Sequence, residues 1–215
     1  MRIIFGVIII FWLYTQINLT SNANPQPLAN KQCSGFMANY KNHAISIPES
    51  KLPLVFYPNN NIPKDWYDDI EIVMEYINIV AKRDIFLFNR DNVLNYDENT
   101  NVDKIPENIM YLSFKPYSES EEATTRIFWI DTNINKVHTK FNIHAFDFTT
   151  STDGIHKNKV HLKSLVLHEL LHSLGLTHIK TDKHSVMYPY LPLGEERTLL
   201  TKQEKDAIVC MYEND

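Results

Sequence analysis

The chain has 215 residues, of which 44% are hydrophobic and 22% are charged, and its formal net charge at pH 7 is −5. This composition is typical of a globular protein with a substantial core. Because the charge is modest and Lys and Arg form no dense run, nucleic acid and an anionic membrane surface are excluded as main partners.

The first 23 residues fit a secretory signal peptide. Arg2 precedes the apolar run 3–14, and Ser21-Asn22-Ala23 supplies small residues for cleavage. A membrane-spanning helix needs about 20 apolar residues, and Gln16 and Asn18 interrupt this run earlier. We therefore expect a secreted, extracellular protein without a membrane span.

After cleavage about 190 residues remain, which suffices for one domain of ordinary size but not for two. We assign 24–50 to an N-terminal segment and 51–215 to the domain proper, and we expect a monomer. Cys33 and Cys210 lie near the two ends of the mature chain. An even pair of cysteines in an oxidising compartment predicts a disulfide bond between them.

Strands and helices are predicted from Pro53 onwards. In chain order they are a strand at 53–57, a helix at 63–82, strands at 84–88, 108–114 and 126–131, one or two strands within 136–148, a helix from about 160–163, and a C-terminal helix that Thr201 and Glu204 would cap. The polar, asparagine-rich stretch 90–107 predicts a solvated loop.

The helix that begins near 160–163 carries residues that suit a metal ion. His168 and His172 are four residues apart, so they project from one helix face and can bind one ion. Glu169 lies about 100° around the helix from His168 and can flank the ion as a general base. Gly175 can end the helix in the left-handed conformation and let His178 become the third ligand. Three neutral histidines leave a fourth position open on a tetrahedral zinc, which indicates a catalytic site.

In these residues the chain resembles the metzincin zinc endopeptidases, whose motif HExxHxxGxxH is followed by a methionine turn. Here Ser185-Val186-Met187-Tyr188-Pro189-Tyr190 begins seven residues after His178. The residues 172–176 and 187–189 are most similar to the matrixin branch. The resemblance implies that Met187 supports the site from beneath the imidazoles. It also implies that Tyr188, Pro189 and Tyr190 line the pocket for the substrate side chain just beyond the scissile bond.

The resemblance further implies an α+β fold of the metzincin-like zincin type. Such a catalytic domain has a twisted mixed sheet, two long helices above the cleft and a small C-terminal subdomain that ends in a helix. The upper subdomain would comprise 51–175 and the lower one 176–215. An edge strand would bind the substrate as an extended antiparallel strand, but the residues do not identify that strand.

Further metal sites are alternatives that the resemblance raises, because matrixins often bind calcium and a second, structural zinc. The acidic residues of 90–107 could bind Ca²⁺, although their spacing matches no calcium loop. The histidines upstream of the motif have no recognisable ligand spacing and are expected on the surface or in the core. They are His138, His144, His156 and His161.

Matrixins are also kept latent by a propeptide cysteine on the zinc, which raises a second interpretation of Cys33. The setting Lys31-Gln32-Cys33-Ser34-Gly35 differs from the Pro-Arg-Cys-Gly setting of that switch. A disulfide with Cys210 would exclude the switch altogether, because the thiolate is the zinc ligand. Whether 24–50 restrains activity stays open.

The sequence therefore predicts a secreted zinc-dependent endopeptidase that acts on protein or peptide substrates. One Zn²⁺ would be bound by His168, His172 and His178, and it would activate a water for which Glu169 is the general base. One alternative is a catalytically silent zinc-containing module that binds a peptide or protein partner in the cleft. Another is a purely structural metal.

Overall fold

A five-stranded mixed sheet packed against helices organises the computed structural model, which describes residues 36–40 and 43–212. The strands are β1 (Asn39–Tyr40), β2 (His43–Ala44), β3 (Leu54–Pro58), β4 (Phe86–Phe88), β5 (Asn108–Leu112), β6 (Ala123–Ile130), β7 (Asn133–Phe141), β8 (Phe148–Thr149) and β9 (Val160–His161). The α-helices are α1 (Tyr67–Ala81), α2 (Leu162–Ser173) and α3 (Lys202–Tyr212), and short 3₁₀ turns span Glu49–Lys51, Lys64–Trp66 and Val102–Lys104. The predicted α+β fold with a mixed sheet and a C-terminal helix is confirmed.

The main sheet has the strand order β4-β3-β5-β7-β6. The first four of these strands are parallel, and β6 pairs antiparallel with β7. Strand β6 therefore forms one edge of the sheet, and it contacts α2. The sequence places this strand at 126–131, but it begins at Ala123. The alternation of apolar and polar residues is weak in this strand, because an edge strand has a neighbour on one side only and buries neither face well.

Helix α1 forms where the apolar spacing predicts it. Its buried face consists of residues at intervals of three and four, including Ile70, Val73 and Ile77, which fits the 3.6-residue period. Two aspartates lie in its first turn, where they favour the positive end of the helix dipole. The helix ends at Lys82, which adopts a left-handed conformation with φ of 56°.

One continuous hydrophobic core joins the sheet to all three helices. It includes Phe56 from β3, Leu170 from α2 and Ile208 from α3. The C-terminal helix starts with the predicted capping box, since the Glu204 backbone N–H donates to Thr201 Oγ1 and the Thr201 N–H donates to Glu204 Oε2. In the part of the chain that the structure describes, no helix has both the length and the apolar character that crossing a bilayer requires.

The segment before β3 is packed into this core. We call residues 36–40 and 43–47 the N-terminal strap. The side chains of Phe36, Met37, Ile45 and Ile47 are all buried, and the Ile47 backbone N–H donates to the buried Tyr212 hydroxyl at 3.0 Å. The described part of the N-terminal segment is thus a structural element of the molecule.

Candidate active site

Helix α2 carries the first two histidines of the motif on a rigid support. Leu165, Val166 and Leu170 are buried in the core, so the helix is fixed against the sheet and cannot easily rotate. His168 and His172 are partly exposed on the same face. Glu169 lies between them and is only 3% exposed.

The helix ends at the predicted glycine. Gly175 has φ of 92°, a conformation that costs a side chain-bearing residue energy. The Leu176 N–H donates to the Leu171 carbonyl at 3.1 Å, and the Gly175 N–H donates to the His172 carbonyl at 2.9 Å. This is the Schellman pattern of helix termination. It turns the chain back and places His178 beside the helix.

The three histidines converge on one point through their Nε2 atoms. The Nε2 of His172 lies 3.1 Å from that of His168 and 3.2 Å from that of His178. The Nε2 atoms of His178 and His168 are 3.3 Å apart. Three nitrogens bound to one tetrahedral zinc at about 2.0–2.1 Å would be separated by about 3.3 Å. The separations in the chain therefore fit a single zinc ion.

Hydrogen bonds fix the tautomers that such an ion needs. His168 Nδ1 lies 2.6 Å from the Val186 carbonyl oxygen, and His172 Nδ1 lies 2.8 Å from the Leu176 carbonyl oxygen. A carbonyl only accepts, so each Nδ1 carries the proton and each Nε2 presents a lone pair. Burial also lowers the pKa of His168 to about 3 and that of His172 to about 4. Both rings are therefore neutral and competent as ligands at neutral pH.

The methionine turn is anchored to α3. Met187 is fully buried, and its carbonyl oxygen accepts the backbone N–H of Ile179, the residue after His178, at 2.8 Å. Its own N–H donates to Glu204 Oε1 at 2.9 Å, and the Ser185 hydroxyl donates to the same oxygen at 2.6 Å. The turn thus connects the two histidine-bearing segments to the C-terminal helix. Capping signals in the sequence predict Glu204 only as a helix cap, because its long-range bonds leave no local pattern.

Glu169 faces the cavity that contains the histidines. Burial raises the pKa of its carboxyl group to about 7, while a hydrogen bond with Thr125 opposes this shift. Its Oε2 is buried and has no hydrogen-bond partner among the described residues. A buried carboxylate with a vacant acceptor atom is suited to take a proton from a bound molecule.

A cavity of about 350 Å³ surrounds these groups. Its lining includes all three histidines and Glu169, and its wall on the sheet side is the start of β6, from Ala123 to Thr125. The other wall contains Tyr188 and Pro189, as the resemblance implies, together with Arg197. Tyr190 is not brought into this cavity. It is 57% exposed and lines a second cavity nearby.

The N-terminal strap holds the loop that carries His178. The Phe36 carbonyl oxygen accepts both the backbone N–H of Thr177, at 2.7 Å, and the Thr177 hydroxyl, at 2.5 Å. The Ala38 N–H donates to the Gly175 carbonyl at 2.7 Å. Met37 and Leu176 form an antiparallel bridge. Sequence reasoning misses this role, because the contacts join segments more than 130 residues apart and no local pattern encodes them.

The side chains considered for further metal sites do not assemble into one among the described residues. Within residues 36–40 and 43–212, the histidine triad is the one group of three or more side chains placed to hold a metal. Calcium binding in 90–107 is therefore not supported. Three of the upstream histidines bond to protein groups: His144 to the Ser113 carbonyl, His156 to the Asp153 carbonyl and His161 to the Ser164 hydroxyl. Cys33 lies outside the described residues, so its disulfide with Cys210 stays a prediction.

Comparison with known proteins agrees with this geometry. A model of the matrixin family matches residues 86–213, which is more than half of the 215 residues. The match covers the sheet from β4 onwards, the histidine motif and the methionine turn, whereas the N-terminal strap precedes it. No curated protein matches the chain. The extent of the family match shows that the chain belongs to the matrixin family.

Proposed function

We propose that the protein is a zinc-dependent endopeptidase. The observation that carries the proposal is the convergence of three histidine Nε2 atoms, 3.1–3.3 Å apart, beside a buried carboxyl group that has one oxygen without a hydrogen-bond partner among the described residues. Matrixins are zinc peptidases, and the family match supports the same chemistry here. His168, His172 and His178 would hold the ion. When bound, zinc supplies Lewis acidity toward a carbonyl oxygen and lowers the pKa of water.

Glu169 is the general base of the proposed reaction. Its Oε2 accepts a proton from the attacking water and then delivers it to the leaving amine. Burial raises the pKa of the Glu169 carboxyl group, whereas a bound cation would lower it, so the two effects oppose each other. The backbone carbonyls of Val186 and Leu176 keep the two helix histidines oriented during turnover.

Strand β6 would orient the substrate. It pairs with β7 along one side only, and its first residues line the cavity. An extended peptide could bind there through backbone hydrogen bonds, as in other cases of strand addition. Tyr188 and Pro189 would contact the side chain that follows the scissile bond.

We also propose that the protein is secreted as a monomer and that Cys33 and Cys210 form a disulfide bond. The support is the signal-like sequence at 1–23 and the even number of cysteines. The mass of the secreted chain, read with and without reductant after alkylation, tests the secretion and the disulfide bond, and size-exclusion chromatography with light scattering tests the monomer. A start at residue 24 and two thiols that react with alkylating agent only after reduction are expected.

Proteolysis of a denatured-protein mixture tests the enzymatic proposal. The secreted protein, its Glu169→Ala variant and a chelated sample are incubated with the mixture, and the cut sites are read by mass spectrometry. We expect new peptides only with the intact, zinc-loaded protein. If the zinc-loaded wild-type protein is silent as well, the alternative of a catalytically silent peptide-binding module replaces the proposal.

A further inference from the structure

Arg197 gives the cleft a positive charge that the histidine motif does not require. Among the described residues that line the 350 Å³ cavity, it is the only Lys or Arg. Its side chain is 12% exposed, so the guanidinium is largely withdrawn from water. Charged groups in such surroundings interact more strongly than groups on the open surface.

The position of Arg197 is fixed from three directions. Its backbone N–H donates to Ser164 Oγ in α2 at 2.7 Å. One guanidinium nitrogen, Nη1, donates to the Tyr190 carbonyl oxygen at 2.8 Å, and the group lies 5.7 Å from the centre of the Tyr188 ring. These contacts attach it to the pocket wall formed by α2 and the segment after the methionine turn.

Arg197 also separates two cavities. It lines the cleft cavity and, together with Tyr188, a second cavity bounded by Lys183, Tyr190 and Leu199 among others. Tyr188 and Arg197 are the residues that both cavities share. The guanidinium and the tyrosine ring therefore form the partition at which a side chain entering from the cleft would stop.

The charge of Arg197 is only partly compensated. Its Nη2 lies 3.2 Å from Glu195 Oε2, but the Glu195 side chain is 54% exposed, so water screens this ion pair. A guanidinium has five N–H donors, and the bonds to Tyr190 and Glu195 use two of them. A carboxylate is the partner whose geometry best matches the remaining donors.

We propose that Arg197 is a specificity-determining residue that selects substrates with an acidic side chain immediately after the scissile bond. The inference rests on the proposed endopeptidase function. Leu165, Val186 and Leu191 also line the cavity and would contact the methylene groups of a glutamate. Its carboxylate would bond to the guanidinium at the partition. Three carboxylates, those of Glu121, Glu122 and Glu169, line the same cavity. Preference for an acidic side chain therefore depends on its direct bond to Arg197, which a comparison of Glu with the uncharged Gln measures.

The test uses peptides that differ only at the residue after the scissile bond, which is Glu, Gln, Leu or Lys. The peptide is based on a cut site found for the wild-type protein, and kcat/KM is measured for each. Glu and Gln have the same shape, so their ratio reports charge recognition. A charge-assisted hydrogen bond predicts that wild type cleaves the Glu peptide about ten-fold or more faster than the Gln peptide.

Three variants assign that preference to Arg197. In Arg197→Gln the Glu-to-Gln ratio should fall to about one, and in Arg197→Lys it should fall several-fold because the planar fork is lost. Lys183→Gln removes a positive charge from the second cavity alone and should keep the wild-type ratio. If Arg197→Gln does not fold, as judged by circular dichroism, the Arg197→Lys ratio decides.

Two results would overturn the inference. One is a wild-type ratio of one or less, and the other is a wild-type ratio that persists in the Arg197 variants. Failure of the proposed function is distinguishable, because then no peptide is cut at all. In that case there is no cut site to build on, so the four peptides take an arbitrary flanking sequence. Their affinities for the zinc-loaded protein, measured by fluorescence polarisation, give the Glu-to-Gln ratio, and the same two results apply.

Discussion

At the scale of single residues, the proposed role of Glu169 separates catalysis from metal binding. It is adjacent to a proposed ligand in the chain and lines the cavity, and its Oε2 has no hydrogen-bond partner among the described residues. Replacement by Gln keeps the size and removes the base. We expect Glu169→Gln to reduce turnover by about 10²–10⁴-fold, while zinc affinity, measured by competition with a chromophoric chelator, changes little.

His172→Gln is the matched control for that experiment. It removes a ligand and should lower zinc affinity together with activity, since three protein ligands define the site. A Glu169→Gln protein that turns over substrate at the wild-type rate would exclude Glu169 as the base.

His138 provides a pH test that is independent of the metal site. It is buried on β7 beside the Phe128 ring, and burial, assisted by Lys136, lowers its pKa to about 4. Its pKa in the unfolded chain is about 6.5. The unfolded state therefore gains a proton before the folded state does, so the stability present above pH 6.5 is lost as the pH falls toward 4.

We expect the free energy of unfolding to fall by about 2 kcal/mol more for wild type than for His138→Leu between pH 7.5 and pH 5.0. Urea titrations with a chelator present measure this difference, because the contributions of the ligand histidines then cancel. The same substitution at the exposed His43 is the control. Parallel pH profiles of wild type and His138→Leu would contradict the prediction.

At the scale of elements, the junction between α2 and the strap is a close approach of two backbone segments. A Cβ on Gly175 would lie 2.3 Å from the Ile45 carbonyl oxygen, whereas a Cβ on Gly154 would meet no atom within 4 Å. Both glycines have positive φ. The two sites therefore share the conformational cost of a side chain and differ in the clash.

We expect Gly154→Ala to cost about 1 kcal/mol of stability through its conformation alone. Gly175→Ala should cost about 3 kcal/mol or more, because the strap must also move. Since the strap holds Thr177, zinc affinity should fall in Gly175→Ala and stay unchanged in Gly154→Ala. Thermal unfolding measures the loss of stability and zinc titration measures the loss of affinity. Equal losses of stability in the two variants would show that the clash with Ile45 does not contribute to the free energy of unfolding.

Hydrophobic periodicity predicts the elements whose buried face is formed by residues close together in the sequence. Helices α1 and α2 show apolar residues at helical spacing, and their observed bounds lie close to the predicted ones. The start of β6 and the strap lack such a signal because their partners are distant in sequence. The same reason explains which residues of the site the sequence predicts. His168, Glu169 and His178 follow from spacing, whereas Arg197 and the bonds of Glu204 depend on tertiary contacts.

At the scale of the whole molecule, the core and the metal site are largely separate. The core runs through the sheet and the three helices, and the histidines approach one another at its surface. Removal of zinc should therefore lower the melting temperature without abolishing the fold, because a ligand that binds only the native state adds RT ln(1 + [L]/Kd).

Circular dichroism of the chelated protein measures both the retained fold and the change in melting temperature. We expect the far-ultraviolet spectrum to be retained at 25 °C and the melting temperature to drop by several degrees, with recovery on addition of zinc. Loss of the helical signal on chelation would instead identify the metal as structural.

The strap also constrains how this chain could be matured by proteolysis. The strap, residues 36–40 and 43–47, precedes the segment that the family model matches, yet it bonds to the loop that carries the third histidine. A chain cut between residues 47 and 54 would keep the strap only through its contacts with the core and the proposed Cys33–Cys210 bond, and loss of the strap would remove the bonds that hold the loop. A removable inhibitory piece within 24–50 is therefore expected to end before Phe36.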